Sequence, residues 1–128
     1  MALDLSKLNA LELPSKEIEV NILGDIQTVR VCALDDESSL RIIALSADDT
    51  KSDGEKQVII RRMVLEKAVL PSLSNDEINL LMTKAAASVL SIYIAVSELT
   101  REFAEARQNV SDEAKKNLSK TQETGELG

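Results

Sequence analysis

Hydrophobic and polar residues alternate strictly in the first patterned segment of the chain. Residues 17–22 read Glu-Ile-Glu-Val-Asn-Ile, and residues 26–31 read Ile-Gln-Thr-Val-Arg-Val. Alternation with a period of two is typical of a strand with one buried face. Gly24 and Asp25 lie between the two segments and are a favourable pair for a two-residue hairpin turn. The pattern therefore predicts a β-hairpin.

The predicted turn also fixes a strand register. In that register apolar residues face apolar residues, and an acid faces a base on the other side of the ribbon, where opposite charges attract. The expected cross-strand pairs are Leu23 with Ile26, Val20 with Val29, Ile18 with Val31, and Glu19 with Arg30.

Apolar spacings of three and four residues begin after the hairpin and predict helices. Asp35 or Asp36 is a suitable N-cap for the first helix, and a polar loop follows over 48–54. A second helix is expected over about 55–70, because Pro71 disfavours helical backbone in the residue before it. The face of the first helix that we expect to be buried comprises Leu40, Ile43, Ala44 and Ala47.

The segment 74–77, Ser-Asn-Asp-Glu, matches a capping box. It predicts the start of a long helix that reaches about Gln108, which corresponds to roughly 50 Å at 1.5 Å per residue. The expected core face of this helix is Ile78, Leu81, Ala85, Val89, Ile92, Val96, Leu99 and Phe103. A second apolar set with the same spacing lies almost opposite, and it comprises Leu80, Ala87, Leu90 and Ile94, with Thr83 between them.

A helix that is apolar on both sides must be buried on both sides. One interpretation places this helix at the centre of the monomer, wrapped by the hairpin and the other two helices. The other interpretation assigns the second face to another subunit or to a partner helix. The second helix raises the same question, since apolar residues surround most of it. The candidate partner or oligomer contact is Leu80, Ala87, Leu90, Ile94 and Met63.

These elements predict an α+β fold that is mostly α, with an N-terminal β-hairpin followed by three helices, the last one long. Residues 1–15 form a loose arm that docks through Leu8, Leu11 and Leu13. Residues 16–108 form a single domain, which is what a chain of 128 residues accommodates. Residues 109–128 are polar and are expected to be a disordered tail.

Charge and composition narrow the class of partner. The formal net charge is -7, and Tyr93 and Phe103 are the only aromatic residues. Nucleic-acid binding needs clustered cations or stacking aromatic side chains, so nucleic acid is not an expected partner. The charge-free stretch 85–97 is shorter than the roughly 20 residues that span a bilayer. With no signal peptide visible and Cys32 alone, we expect a cytosolic protein.

Residues that could carry chemistry are scarce. The chain has no histidine, which removes the commonest general base and metal ligand. Cys32 is expected to be a small buried residue of the second strand. The loop 49–54 imitates the start of a calcium loop, but Lys51 and Ile60 stand where oxygen ligands are needed. We therefore expect no enzyme activity, no cofactor and no metal site.

The order of these features resembles that of the tail assembly chaperones of siphovirus-type bacteriophages, whose tails are long and non-contractile. The resemblance covers about residues 15–105. It rests on the hairpin around Leu23-Gly24, the helix stop and capping box in 69–77 (Val-Leu-Pro-Ser-Leu-Ser-Asn-Asp-Glu), and the final apolar helix through 92–99. Small size and acidity agree with it.

The resemblance implies a partner and a location. Members of this family bind the apolar, helical tape-measure protein, keep it soluble and promote assembly of the tail tube from the major tail-tube protein. They act in the host cytoplasm, are absent from the mature virion, self-associate, and often have a longer frameshifted form. The alternative hypothesis is a small acidic structural or adaptor protein, either a virion component or an inhibitor that binds a host protein.

Overall fold

The computed structural model describes residues 12–127, and the side chains of residues 12–108. This part of the chain is mostly helical with one antiparallel sheet, so the predicted α+β class is confirmed. The elements are β1 (Ser15–Ile22), β2 (Asp25–Cys32), α1 (Asp36–Ser46), α2 (Asp53–Ala68), β3 (Val69–Leu70), α3 (Asn75–Lys84) and α4 (Ala86–Leu127).

The predicted hairpin is present as β1 and β2, but its register differs from the prediction by two residues. Ile18 lies opposite Val29, and Glu17, not Glu19, lies opposite Arg30. The turn is centred on Leu23 and Gly24. A shift of two residues leaves every side chain on its predicted face, because successive strand residues point to opposite faces.

The turn residues explain the observed register. Leu23 has φ of 54° and Gly24 has φ of 89°. Positive φ at both central positions is the requirement of a type I′ turn, the two-residue turn whose twist matches that of the flanking strands. The Gly24 N–H also donates to the Asn21 side-chain oxygen at 2.8 Å. The glycine therefore stands at the second central position of the turn, where the sequence had placed it at the first.

Helix α1 begins as predicted but presents the opposite side to the core. Asp35 is its N-cap, and its carboxylate accepts from the Ser38 N–H at 2.8 Å. Ser38 is buried and Ile42 is half-buried. The face predicted to be buried (Leu40, Ile43, Ala44 and Ala47) is exposed, so that prediction is wrong.

Helix α2 ends two residues earlier than predicted. Ser52 caps its start, accepting from the Glu55 N–H at 3.2 Å. After Ala68 the chain becomes extended, and Val69–Leu70 forms β3 beside β2. A β-branched residue next to an unpaired strand edge favours this extension over a further helical turn.

The predicted long helix is divided into two. The capping box at Ser74 and Glu77 is present and starts α3. Ala85 then has φ of −134° and ψ of 48°, outside the helical region, and the axes of α3 and α4 differ by 110°. The prediction of one continuous helix is therefore wrong. The break directs Ile78 of α3 and Val89 of α4 into the same core.

The core lies between the sheet and the helices, with α4 in contact with β1, β2, α2 and α3. Two side-chain hydrogen bonds attach α4 to β1 and to the residues that follow β2. The Ser88 hydroxyl donates to the Asn21 carbonyl at 2.8 Å, and the Thr100 hydroxyl oxygen accepts from the Leu34 N–H at 2.9 Å. The largest fully buried side chains are Val20, Val31, Val64, Leu65, Ile78, Val89, Ile92 and Val96.

The predicted ends of the chain are only partly described. The arm over 1–15 lies mostly outside the described residues, and Leu13 within it is 39 % exposed. Helix α4 continues past Gln108, where the sequence predicted its end, to Leu127. The predicted tail over 109–128 falls where side chains are outside the described part, so its disorder stays a prediction. Within residues 12–108 no single helix is long and apolar enough to cross a membrane, although α3 and α4 together pass that test as a pair bent by 110°.

Candidate functional site

Helix α4 has one buried side and one exposed apolar side. Ile92 and Val96 are 2 % and 0 % exposed, as predicted for the core face. Leu90 and Ile94 are 40 % and 48 % exposed, and Ala87 one turn before them is exposed too. At about 100° per residue, these three residues form one row on the side away from the sheet. We call Ala87, Leu90 and Ile94 the outer face of α4.

The break at Ala85 separates Leu80 from the outer face. Leu80 is 58 % exposed on α3 and borders a cavity of about 260 Å³ between α3 and the hairpin. Ile22 and Ile92 border the same cavity. Ile92 is on the core side of α4, opposite Leu90, so the predicted contact surface is two surfaces and not one.

Met63 is on another helix, α2, and does not line the cavity beside Leu80. It is half-buried on α2, one turn after Ile59, which is 38 % exposed. A partner would therefore reach only part of the Met63 side chain. The structure brings Ala87, Leu90 and Ile94 together, and it places Leu80 and Met63 elsewhere.

Two exposed apolar residues of α1 were not among the predicted contact residues. Leu40 and Ile43 are each 64 % exposed. Ile43 borders an open groove of about 320 Å³ between α1 and α4. The residues that line this α1–α4 groove are Leu34, Ser39, Ile42, Ile43, Tyr93, Ser97, Thr100, Arg101 and Ala104.

The sequence contained a weak signal for this arrangement. Ser38, Ile42 and Leu45 follow the same three- and four-residue spacing as the face that was predicted to be buried. A serine at a helix face permits a close approach between backbones, and here it is buried at 4 % exposure. Apolar periodicity alone favoured the wrong side because it gives no weight to small polar residues.

A third apolar groove, of about 270 Å³, lies where α2 meets the junction of α3 and α4. Val58, which is 54 % exposed, lines it together with Met82 and Ala86. Ala86 is one helical turn before Leu90, so this groove adjoins the outer face of α4. The exposed apolar surface of the helices therefore extends from α2 onto α4.

Charged residues connect α1 to α4 beside the α1–α4 groove. The Arg107 guanidinium donates two hydrogen bonds to the Asp36 carboxylate, each 2.9 Å, and stands 4.3 Å from the centre of the Phe103 ring. The bond from Arg107 lowers the pKa of Asp36 below its usual value. A bidentate pair of this kind fixes both position and orientation. It holds the start of α1 against α4.

The described side chains offer little for catalysis or metal binding. Cys32 is 7 % exposed, as expected for a small buried residue, and burial raises the pKa of its thiol. A raised pKa disfavours the thiolate, the reactive form of cysteine. Within residues 12–108 no group of three or more Cys, Asp or Glu side chains is arranged to hold a metal ion. The most distinctive chemistry here is exposed aliphatic surface on helices.

No family model, no curated protein and no solved structure matches the chain.

Proposed function

We propose that this chain is a non-catalytic tail assembly chaperone, which binds the apolar helical tape-measure protein of a long-tailed phage and keeps it soluble while the tail tube assembles. The single observation that carries the proposal is the outer face of α4. Leu90 and Ile94 are large aliphatic residues on a helix whose opposite side already fills the core. An apolar row of this kind is how helices recognise other apolar helices.

The energetics agree with a reversible contact. Fully burying a leucine or isoleucine side chain stabilises by about 1.5–3 kcal/mol relative to leaving it exposed. Leu90 and Ile94 are about half exposed, so covering each would contribute roughly 1 kcal/mol. Several such residues on α2 and α4 together would give a contact that forms during assembly and is later released.

The acidity of the chain supports the chaperone role. A formal net charge of -7 on 128 residues keeps a protein with exposed apolar residues in solution through self-repulsion. The same charge would keep a complex with an apolar partner soluble. The proposal includes self-association, a contact with the major tail-tube protein, action in the host cytoplasm and absence from the mature virion.

The test is co-expression with a tape-measure protein. We expect the wild-type chain to move that protein from the pellet to the supernatant and to co-purify with it. Leu90→Asp and Ile94→Asp should abolish both effects, because an unpaired charge is costly to bury in an apolar contact. Ala106→Asp is the matched control, since Ala106 is exposed on the same helix about 18 Å beyond Ile94 at the helical rise, and the same charge is added.

Two outcomes would contradict the proposal. If the tape-measure protein stays insoluble with the wild-type chain and no complex co-purifies, the chaperone role is wrong. If the chain is found in purified virions, the alternative of a structural component is favoured. As a folding control, Leu90→Asp and Ile94→Asp must each have a melting temperature near that of the wild type at low concentration. A loss of binding is then not caused by a loss of folding.

A further inference from the structure

The exposed side of α1 forms an aliphatic ridge with a carboxylate at one end. Leu40 and Ile43 are each 64 % exposed. Glu37 stands one helical turn before Leu40, and its side chain is 75 % exposed. It pairs with Arg41 on the same helix, and an exposed pair of this kind contributes little. The residues that we call the α1 ridge are Leu40, Ile43 and Ala44.

Arg61 lies in the groove of about 270 Å³ where α2 meets the junction of α3 and α4, which we call the α2 groove. The Nε atom of Arg61 is buried and has no hydrogen-bond partner. The other five arginines of the chain each bond to a side chain within residues 12–108. A buried donor without an acceptor is unfavourable, and more so when it is charged. A carboxylate supplied from outside the described residues would satisfy it.

The α1 ridge and the α2 groove match when α1 of a second copy lies antiparallel to α2. Three residues on α1 and three on α2 follow one another at spacings of three and four, in opposite directions, so that each set forms one row. A single alignment brings the two rows together at three successive turns. The pairs formed are Glu37 with Arg61, Leu40 with Val58, and Ala44 with Gly54.

Each of these pairs is complementary. The first joins opposite charges, and the second joins two aliphatic side chains that are 64 % and 54 % exposed. The third joins two small residues, and no heavy atom lies within 4 Å of the position of a Cβ on Gly54, which leaves room for Ala44. At about 100° per residue Ile43 then lies on the side of Met82 and Ala86, which line the same groove. The contact therefore extends toward the outer face of α4.

We propose that the α1 ridge of one copy binds in the α2 groove of a second copy, with Glu37 paired to Arg61. This rests on the self-association included in the proposed function, and it names the two surfaces that meet. A wholly apolar helix would leave Arg61 unpaired, whereas the α1 ridge brings its own carboxylate. The ion pair also gives two copies of charge -7 a point of attraction. Because every copy offers one ridge and one groove, the contact repeats into a ring or an open spiral.

Two variants of the full chain, each with one surface disabled, test the contact. Leu40→Asp disables the α1 ridge and Val58→Asp disables the α2 groove, because an unpaired charge is costly to bury. Each variant alone should have the monomer mass of 14.0 kDa by light scattering at concentrations where the wild type is larger. An equimolar mixture should reach twice that mass and stop there, since each pair of chains holds one intact ridge and one intact groove. Formation of that pair also shows that both variants are folded.

A charge exchange tests the pair of Glu37 with Arg61. Arg61→Glu and Glu37→Arg should each raise the dissociation constant of the contact about tenfold or more, because like charges then face each other. A chain that carries both substitutions should recover most of the lost affinity. Lys67→Glu is the matched control, since Lys67 is exposed on α2 outside the groove. It should leave the dissociation constant unchanged.

Four results would overturn the inference. Association of Leu40→Asp or Val58→Asp alone would show that copies meet through other surfaces, and self-association itself would stand. A mixture that keeps the monomer mass, while both variants melt near the wild-type temperature, would show that ridge and groove do not meet. No recovery in the doubly substituted chain would exclude the ion pair. A wild-type chain that is monomeric at every concentration would contradict self-association as well, whereas co-expression tests the binding of a tape-measure protein independently.

Discussion

Two residues determine the geometry of the hairpin turn. Leu23 has φ of 54°, in the left-handed region, where the Cβ of any residue other than glycine comes close to the following carbonyl oxygen. Gly24 adopts φ of 89°, and no heavy atom lies within 4 Å of the position that a Cβ would take there. The cost of a larger residue at Gly24 would therefore come from backbone conformation and not from a clash. Leu23, at 79 % exposure, has little packing to offset its own cost.

Substitutions at the turn should change stability in opposite directions. Leu23→Asn should raise the free energy of unfolding by about 1 kcal/mol, because Asn-Gly is the preferred pair for a type I′ turn and asparagine tolerates the left-handed region. Gly24→Ala should lower it by about 1–2 kcal/mol. Urea unfolding of both variants provides the measurement. A loss of stability in Leu23→Asn would show that the Leu23 side chain is covered in solution.

At the scale of elements, the position of α1 depends on contacts with residues that are far away in the sequence. The core side of α1 offers Ser38 and Ile42, which bury little apolar area. The pair between Asp36 and Arg107 therefore adds a directional contact between α1 and α4. The pair is exposed to solvent, since the two side chains are 68 % and 39 % exposed. Exposed pairs are typically worth about 0.2–1 kcal/mol, and bidentate geometry favours the upper part of that range.

The Asp36–Arg107 pair predicts a pH dependence. Arg107 lowers the pKa of Asp36 in the folded state. A lowered carboxyl pKa stabilises the fold above the unfolded value of about 3.9, and that contribution is lost as pH falls through the folded value. Asp36→Asn should thus lower the free energy of unfolding by up to about 1 kcal/mol at pH 7. The difference from wild type should shrink below about pH 4.

A matched control separates this pair from the effect of any acid in a first helical turn. Asp53 also directly follows an N-cap, Ser52, and among the described ion pairs it has no partner on another helix. Asp53→Asn should therefore cost less than Asp36→Asn. Chemical unfolding across pH 3–7 measures both. Equal losses in the two variants would assign the effect of Asp36 to the helix dipole and not to Arg107.

At the scale of the whole molecule, the exposed apolar residues lie on several elements at once. Leu40 and Ile43 on α1, Val58 on α2, and Leu90 and Ile94 on α4 are all at least 40 % exposed. Soluble monomers rarely leave extended apolar surface open, because association removes that surface from water. The described residues therefore leave more apolar surface exposed to solvent than is usual for a soluble monomer.

This surface predicts self-association. Light scattering over a wide range of concentrations should give masses above 14.0 kDa. Ile94→Asp should return the chain to the monomer mass, whereas the control Ala106→Asp should not, since Ala106 is exposed on α4 beyond the outer face and leaves that face intact. Contacts between copies would form closed rings or open spirals depending on the rotation between neighbours. A strict monomer at every concentration would contradict this prediction.

The sequence by itself determined the local features of this protein. The hairpin, the faces of its strands and the capping box at Ser74 follow from residues within a few positions of one another. The core side of the last helix, including Ile92 and Val96, follows from its spacing. The exposed residues Leu90 and Ile94 were also predicted as a second face. Patterns of period two or 3.6 report which side of an element is apolar, and in the hairpin and the last helix, though not in α1, that side is also the core side.

Only the tertiary structure decided how these elements meet. The turn is at Leu23-Gly24 and not at the predicted Gly24-Asp25. A register shift of two residues leaves every side chain on the same face of the sheet, so turn geometry decides between the two registers. The break at Ala85 lies among good helix formers, and it brings Ile78 of α3 and Val89 of α4 into one hydrophobic core. The side of α1 that faces the core likewise depends on residues far away in the sequence, and so does the pairing of β3 with β2. Short-range patterns contain no record of such partners, and the energy of these long-range contacts exceeds the small local preferences that they override.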